Sequence, residues 1–202
     1  MEIEKIHVLN GSDVLSTNTK KLIQMRLNIG NFESKPTNKI DGFSDRLKTL
    51  MPSLYSHKSA QGTIGGFFQT VDYGTSIAQV IEHIAVELQN LAGMKTDFST
   101  TVETDVLGVY NVVLSYADED AGMYAALASV KIVEALVKGK PYFIRHDIDR
   151  LKCLYEQSKA SAETVKQTAN VPYFKLNNQP IKWAYSTNQY NIKLDIPLSQ
   201  VI

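Results

Sequence analysis

The chain has 202 residues, 44% hydrophobic and 21% charged, enough to bury a core as one domain plus an appendage. Lys plus Arg equals Asp plus Glu at 21 each, so no net field draws the protein to nucleic acid or to a membrane, and a neutral or zwitterionic partner fits better. The single Cys153 excludes an internal disulfide; with no signal-peptide pattern in MEIEKIHVLN and no long apolar run, the expectation is a soluble cytoplasmic protein.

Residues 3–9 and 21–29 are short runs rich in Ile, Leu and Val that suit strands. A turn-rich segment from Asn31 to Gly42 leads to a helix near Phe43 to His57, which Pro52 kinks or divides. The glycines 62, 65, 66 and 74 bracket a brief predicted strand, Phe67 to Val71. Thr75 or Ser76 can cap the next helix, and Gly93 ends it at C′. Leu107 to Tyr116 is the clearest predicted strand. Asp118 to Asp120 opens a long Ala-rich helix that runs to about Lys138 and stops at Gly139 and Pro141. A second helix covers roughly Asp147 to Ser158. Beyond it, SKASAETVKQTAN can form a polar helix, and PYFKL, IKWAY and NIKLDI read as short strands, the first two separated by the turn Asn177–Asn178–Gln179–Pro180. The fold class expected is mixed α/β: helices packed on a small sheet built partly from 3–9, 21–29 and 107–116. A short α/β segment would open a second domain. The boundaries are 1–160 and 161–202.

The helix within Gly74 to Met94 carries the candidate site. Ile77, Ile81, Ile84, Leu88 and Leu91 repeat at spacings of four, three, four and three, which makes them one apolar stripe facing the core. Gln79, His83, Glu87 and Asn90 fall on the opposite or flanking arc, with Glu82 beside them. Positions 79, 83 and 87 stack one turn apart, the geometry by which a helix offers ligands to a metal. An inverted zinc-hydrolase motif reads His-x-x-Glu-His, and here Gln79 stands where the first histidine belongs. Imidazole is a common zinc ligand and an amide a poor one. Losing one of three protein ligands removes several of the roughly 10–16 kcal/mol open to a full structural site. An ordinary surface helix shows the same polar arc, so a solvated face is the competing reading.

Other searches give little. There is no P-loop, and the glycines at 62, 65 and 66 do not fit the dinucleotide fingerprint. Cys153, beside Leu151 and Leu154, reads as a buried structural thiol. His7, His57 and His146 share no motif with His83 and are assigned structural or solvent roles. Phe67, Phe68, Tyr73, Tyr110 and Tyr116 could line a binding surface, although core is the plainer assignment for most.

The segments KLIQMRLNIG, GGFFQTVDYGT, IEHIAVELQNLAGM and GVYNVVLSYADEDAGMYAA, in this order, resemble the N-terminal domain of bacterial cyanophycin synthetases over about residues 1–160. The tail from 161 resembles the start of the family's ATP-grasp domain. The resemblance implies a synthetase that polymerises Asp and Arg into cyanophycin at two ATP- and Mg-dependent centres, neither of which would lie in this segment. In that family the N-terminal domain binds the zwitterionic polymer, and in some members it also carries a metal-dependent hydrolase site that cuts primers. Hydrolytic members keep the full His-x-x-Glu-His helix, an arginine where this chain has Gln69, and a GFGRTR-like segment matching Asp97 to Val102, here without a basic residue.

The resulting expectation is a polymer-tethering domain with a degenerate hydrolase pocket and no cofactor of its own, zinc being the metal to test. Gln69, Gln79, His83, Glu87 and Thr100 are the candidate substrate-binding residues. In the alternative, a surviving endopeptidase, His83 and Glu87 are metal ligands and Glu82 is the base. A third reading is a structural oligomerisation domain. The implied partners are cyanophycin, the remaining synthetase domains and further copies of the chain.

Overall fold

The computed structural model describes residues 1–9, 21–57, 64–96 and 98–169. The strand-like runs at 172–176, 181–185 and 191–196, the turn at 177–180, Gly62 and Asp97 lie outside the described residues. By contacts the chain divides into Met1–Val165 and Lys166–Ile202. The architecture that follows belongs to the first unit.

Four antiparallel strands form one sheet: β1 (Glu2–Leu9), β2 (Leu22–Asn28), β3 (Ser99–Glu103) and β4 (Val109–Ser115), in the order β1-β2-β4-β3. Alternation along β2 puts Ile23, Met25 and Leu27 on the core face at 0% exposure and leaves Gln24, Arg26 and Asn28 half-buried on the other. On that second face the Glu4 carboxylate accepts from Arg26 Nε at 2.9 Å and Asn28 Nδ2 at 3.1 Å. Among the described residues five α-helices complete the unit, of which the third and fourth lie against the sheet. They are α1 (Phe43–Leu50), α2 (Gly66–Tyr73), α3 (Ile77–Leu91), α4 (Glu119–Val137) and α5 (Arg145–Ala169). The mixed α/β class, with helices on a small sheet, is what the sequence led one to expect.

Helix α3 packs on α4 and on the β3–β4 end of the sheet. Asp118 caps α4 by accepting from Ala121 N at 2.9 Å, and Glu119 and Asp120 in its first turn complement the helix dipole. A Cβ at Gly122 would lie 2.6 Å from Tyr116 Cβ and 2.9 Å from Ile23 Cδ1, so glycine there lets α4 sit close to the sheet. Pro52 divides the predicted 43–57 helix into α1 and a 3-10 helix, Pro52–Ser56.

Three expectations are corrected. Phe67 to Val71 is not a strand: Gly65, at φ 77°, starts α2, and Phe67, Phe68 and Val71 are buried at helical rather than alternating spacing. Residues 99–103, to which the sequence reading assigns no element, form the edge strand β3. The helix beginning near Asp147 does not stop at Ser158, because no Gly or Pro follows before Ala169. Cys153 is half-buried rather than buried.

Candidate functional site

Ser76 caps α3, its hydroxyl accepting from Ala78 N at 3.2 Å, and Gly93, at φ 86°, follows the C-terminal turn as expected. The stripe of Ile77, Ile81, Ile84 and Leu88 is fully buried. The polar arc is solvated only at its ends: Gln79 and Asn90 are exposed, whereas His83 is half-buried, Glu87 is 5% exposed and Glu82 beside them 7%. The 3-10 helix and β3, with Phe67 of α2, cover its middle. The amphipathic pattern identified the core stripe and could not show what lies over the other side.

The candidate residues separate into distinct environments. Gln79 is exposed near the start of α3, and its side-chain Oε1 accepts from the Thr75 hydroxyl. Glu82 turns toward β3, where Ser99 Oγ donates to Oε1 at 2.6 Å and Thr101 Oγ1 donates to Oε2. Burial pushes the Glu82 carboxyl above its usual range, and the two hydroxyls only partly offset that.

His83, one residue on and about 100° around the helix, turns away from Glu82 toward the 3-10 helix. Its Nδ1 lies 3.0 Å from Nδ1 of His57, and His57 Nε2 lies 2.8 Å from Glu87 Oε2. The ring of Phe67 covers His83 with centroids 4.3 Å apart. Burial, then the neighbouring His57, lowers the His83 pKa from 6.5 to about 4, so the imidazole is neutral at pH 7. Burial acts to raise the Glu87 carboxyl, but the hydrogen bond from His57, with others from Ser53 and Asn90, outweighs it and holds Glu87 below its usual range. One protonation pattern satisfies this chain: His83 Nδ1–H donates to His57 Nδ1, and His57 Nε2–H donates to Glu87.

Two candidates lie elsewhere. Thr100 alternates with Ser99 and Thr101, so it points to the opposite face of the sheet, where it pairs with Val113. Gln69 is exposed on α2 and lines a cleft of about 460 Å³.

The donor set of an inverted zinc-hydrolase helix is not assembled on this face: the Gln79 amide is neutral and engaged with Thr75, and Glu82 is held by β3, while His83, whose Nδ1 faces His57, still has Nε2 to offer. Among the described residues, no group of three or more His, Cys, Asp or Glu side chains could hold a metal. The arrangement can bind through neutral imidazole and amide groups and can pass a proton between His83 and Glu87 through His57.

Sequence reasoning missed His57, Ser99 and Thr101. Nothing in the spacing links His57 to α3, since it is carried there by the Pro52 turn. The alternation Ser99-Thr100-Thr101, with its β-branched residues, was the available signal for β3.

Residues 23–138 match the family model described as cyanophycin synthase-like N-terminal domain. Cyanophycin synthetases from Geminocystis herdmanii and Crocosphaera subtropica are each 36% identical to the chain, with 96% of this chain and 23% of the relative covered. The cyanophycin synthetase of Trichormus variabilis is 38% identical over 81% of this chain and 18% of its own length. The chain therefore spans at most about a quarter of the curated relatives it matches. Among the described residues, no helix is long and apolar enough to cross a membrane. The chain belongs to the family of cyanophycin synthase-like N-terminal domains.

Proposed function

We propose that this domain binds cyanophycin within a larger synthetase and that its hydrolase pocket is degenerate. The observation that carries the reading is the separation of Gln79, Glu82 and His83 into three environments, which leaves no shared point for a metal and an attacking water. Without a bound metal to lower the pKa of water toward neutrality, the metal-dependent route to cleavage would lose its nucleophile at pH 7. A chain with equal numbers of acidic and basic residues suits a polymer that carries a carboxylate and a guanidinium on each unit. Ligation would belong to the remainder of the synthetase, acting in the cytoplasm as an oligomer.

The test is metal analysis of the purified chain, with cyanophycin retention and cleavage assayed in parallel. Retention without fragments supports the reading. Stoichiometric zinc with rapid release of short fragments would identify a working endopeptidase and overturn it, and failure to retain polymer would leave a scaffold. Gln79→His alone is expected to restore no more than a trace of cleavage, because Glu82 stays held by Ser99 and Thr101; cleavage matching a hydrolytic relative would refute that.

A further inference from the structure

We infer that the cleft between α2 and the 3-10 helix is a subsite for a ligand group bearing both a guanidinium and a carboxylate; this rests on the polymer-binding reading and gives it an address. The cleft, of about 460 Å³, pairs one cation with one anion on an apolar wall. Lys48 Nζ lies 2.9 Å from each oxygen of Asp72, and Ser44 Oγ donates to Oδ1 at 2.5 Å. Among the described residues Oδ2 accepts only from Lys48, so it retains a free lone-pair direction. The wall is Pro52, Phe68 and Tyr55, and the Tyr55 ring is 63% exposed. A Cβ at Gly65 would stand 3.1 Å from that ring, so glycine there lets Tyr55 lie flat against the backbone.

Charge arrangement selects the ligand. A simple anion would meet Asp72 and a simple cation would meet Lys48, so each is held by one charge and repelled by the other. A dipolar group instead exchanges partners, its guanidinium docking side-on with the Asp72 carboxylate and its own carboxylate taking Lys48. The Lys48–Asp72 pair is half-exposed and holds together weakly, so opening it costs little. Phe68 already holds the Lys48 cation 5.8 Å from its ring centroid, and the open face of Tyr55 offers the same attraction to a planar guanidinium. Gln69 at the rim can accept from or donate to the ligand's peptide link.

The experiment is calorimetric titration of the whole chain with β-aspartyl-arginine and with agmatine, which has the guanidinium but no carboxylate, alongside polymer retention. Asp72→Asn is expected to weaken the dipeptide about tenfold or more. Tyr55→Ala, which leaves the ion pair intact and removes an exposed ring, is expected to weaken it several-fold. Lys48→Met should weaken the dipeptide but not agmatine, and Asp149→Asn should change nothing. Undetectable dipeptide binding to the unaltered chain overturns the subsite, as does unchanged affinity in both Asp72→Asn and Tyr55→Ala. Polymer retained in that case leaves the polymer reading standing. Dipeptide affinity lost in Asp72→Asn, with polymer never retained, keeps the subsite and removes the polymer reading.

Discussion

Glu82 and Glu87 lie five residues apart on one helix, both less than a tenth exposed, yet their carboxyls move in opposite directions. Glu82 faces hydroxyls alone. Ser99 and Thr101 donate to it, but neutral dipoles do not make up for lost water, and the protonated form gains. Glu87 suffers desolvation too, but His57, Ser53 and Asn90 supply three donors, and the charged form gains. Donors outweigh desolvation at Glu87 and fail to at Glu82, whose carboxyl also lies deeper in the protein. The pocket lining is accordingly split, with a hydroxyl-held acid on the β3 side and an imidazole-held carboxylate on the 3-10 side.

The largest expected disturbance is Phe67→Ala. Removing a ring that is 3% exposed and stacked on His83 should cost about 3–5 kcal/mol in urea unfolding. It should also let water reach His83, so that its pKa, followed by NMR, climbs back toward 6.5. Next, His57→Ala should cost about 2 kcal/mol, because Glu87 loses its strongest hydrogen bond. If the contrast between the glutamates arises as described, Glu87 then titrates above its ordinary range, like Glu82; an unchanged Glu87 would break the comparison.

Acid provides a third test. His83 stays neutral in the fold while the unfolded chain takes up a proton below 6.5, so stability is full above that pH and falls by about 3 kcal/mol on acidification toward 4. Below 4.5 the lowered Glu87 adds to the loss as pH falls through its folded pKa. Glu82 has the opposite sign: its contribution is full below 4.5 and is lost as pH rises through its raised folded pKa. The smallest effect follows from that. Glu82→Gln should raise stability by about 1 kcal/mol at pH 7, since an amide satisfies the same hydroxyls without a charge, and the gain should vanish near pH 4 on thermal unfolding.

What the sequence made legible was the local pattern. The Ile77, Ile81, Ile84 and Leu88 stripe, the Ser76 cap, the glycine after α3 and the Pro52 break can all be read because each is settled within a turn or two of chain. Three things could not be read in that way. Phe67-Phe68 suits a strand or a helix equally, and the left-handed Gly65 decided it. Burial of Glu82 and Glu87 depends on what packs over the polar arc, which no periodicity reports. The pairing of His57 with His83 spans 26 residues and a proline turn, so it became visible only with the fold. The family resemblance supplied what spacing could not, by marking Gln69 and the Asp97–Val102 segment as departures beside Gln79.

The alternation of β3 has a further consequence for Glu82. Ser99 and Thr101 reach the carboxyl because they share parity on the strand, and Thr100 between them does not. A slip of β3 against β4 by a single residue would present Thr100 alone to the helix and turn both donors outward. Glu82 would then be a buried acid with one hydroxyl at most. The pairing Ser99 with Leu114 and Thr101 with Val112 thus works as a two-tooth ratchet. Strand register, selected by which side chains face the core, decides the environment of a carboxyl on a different element.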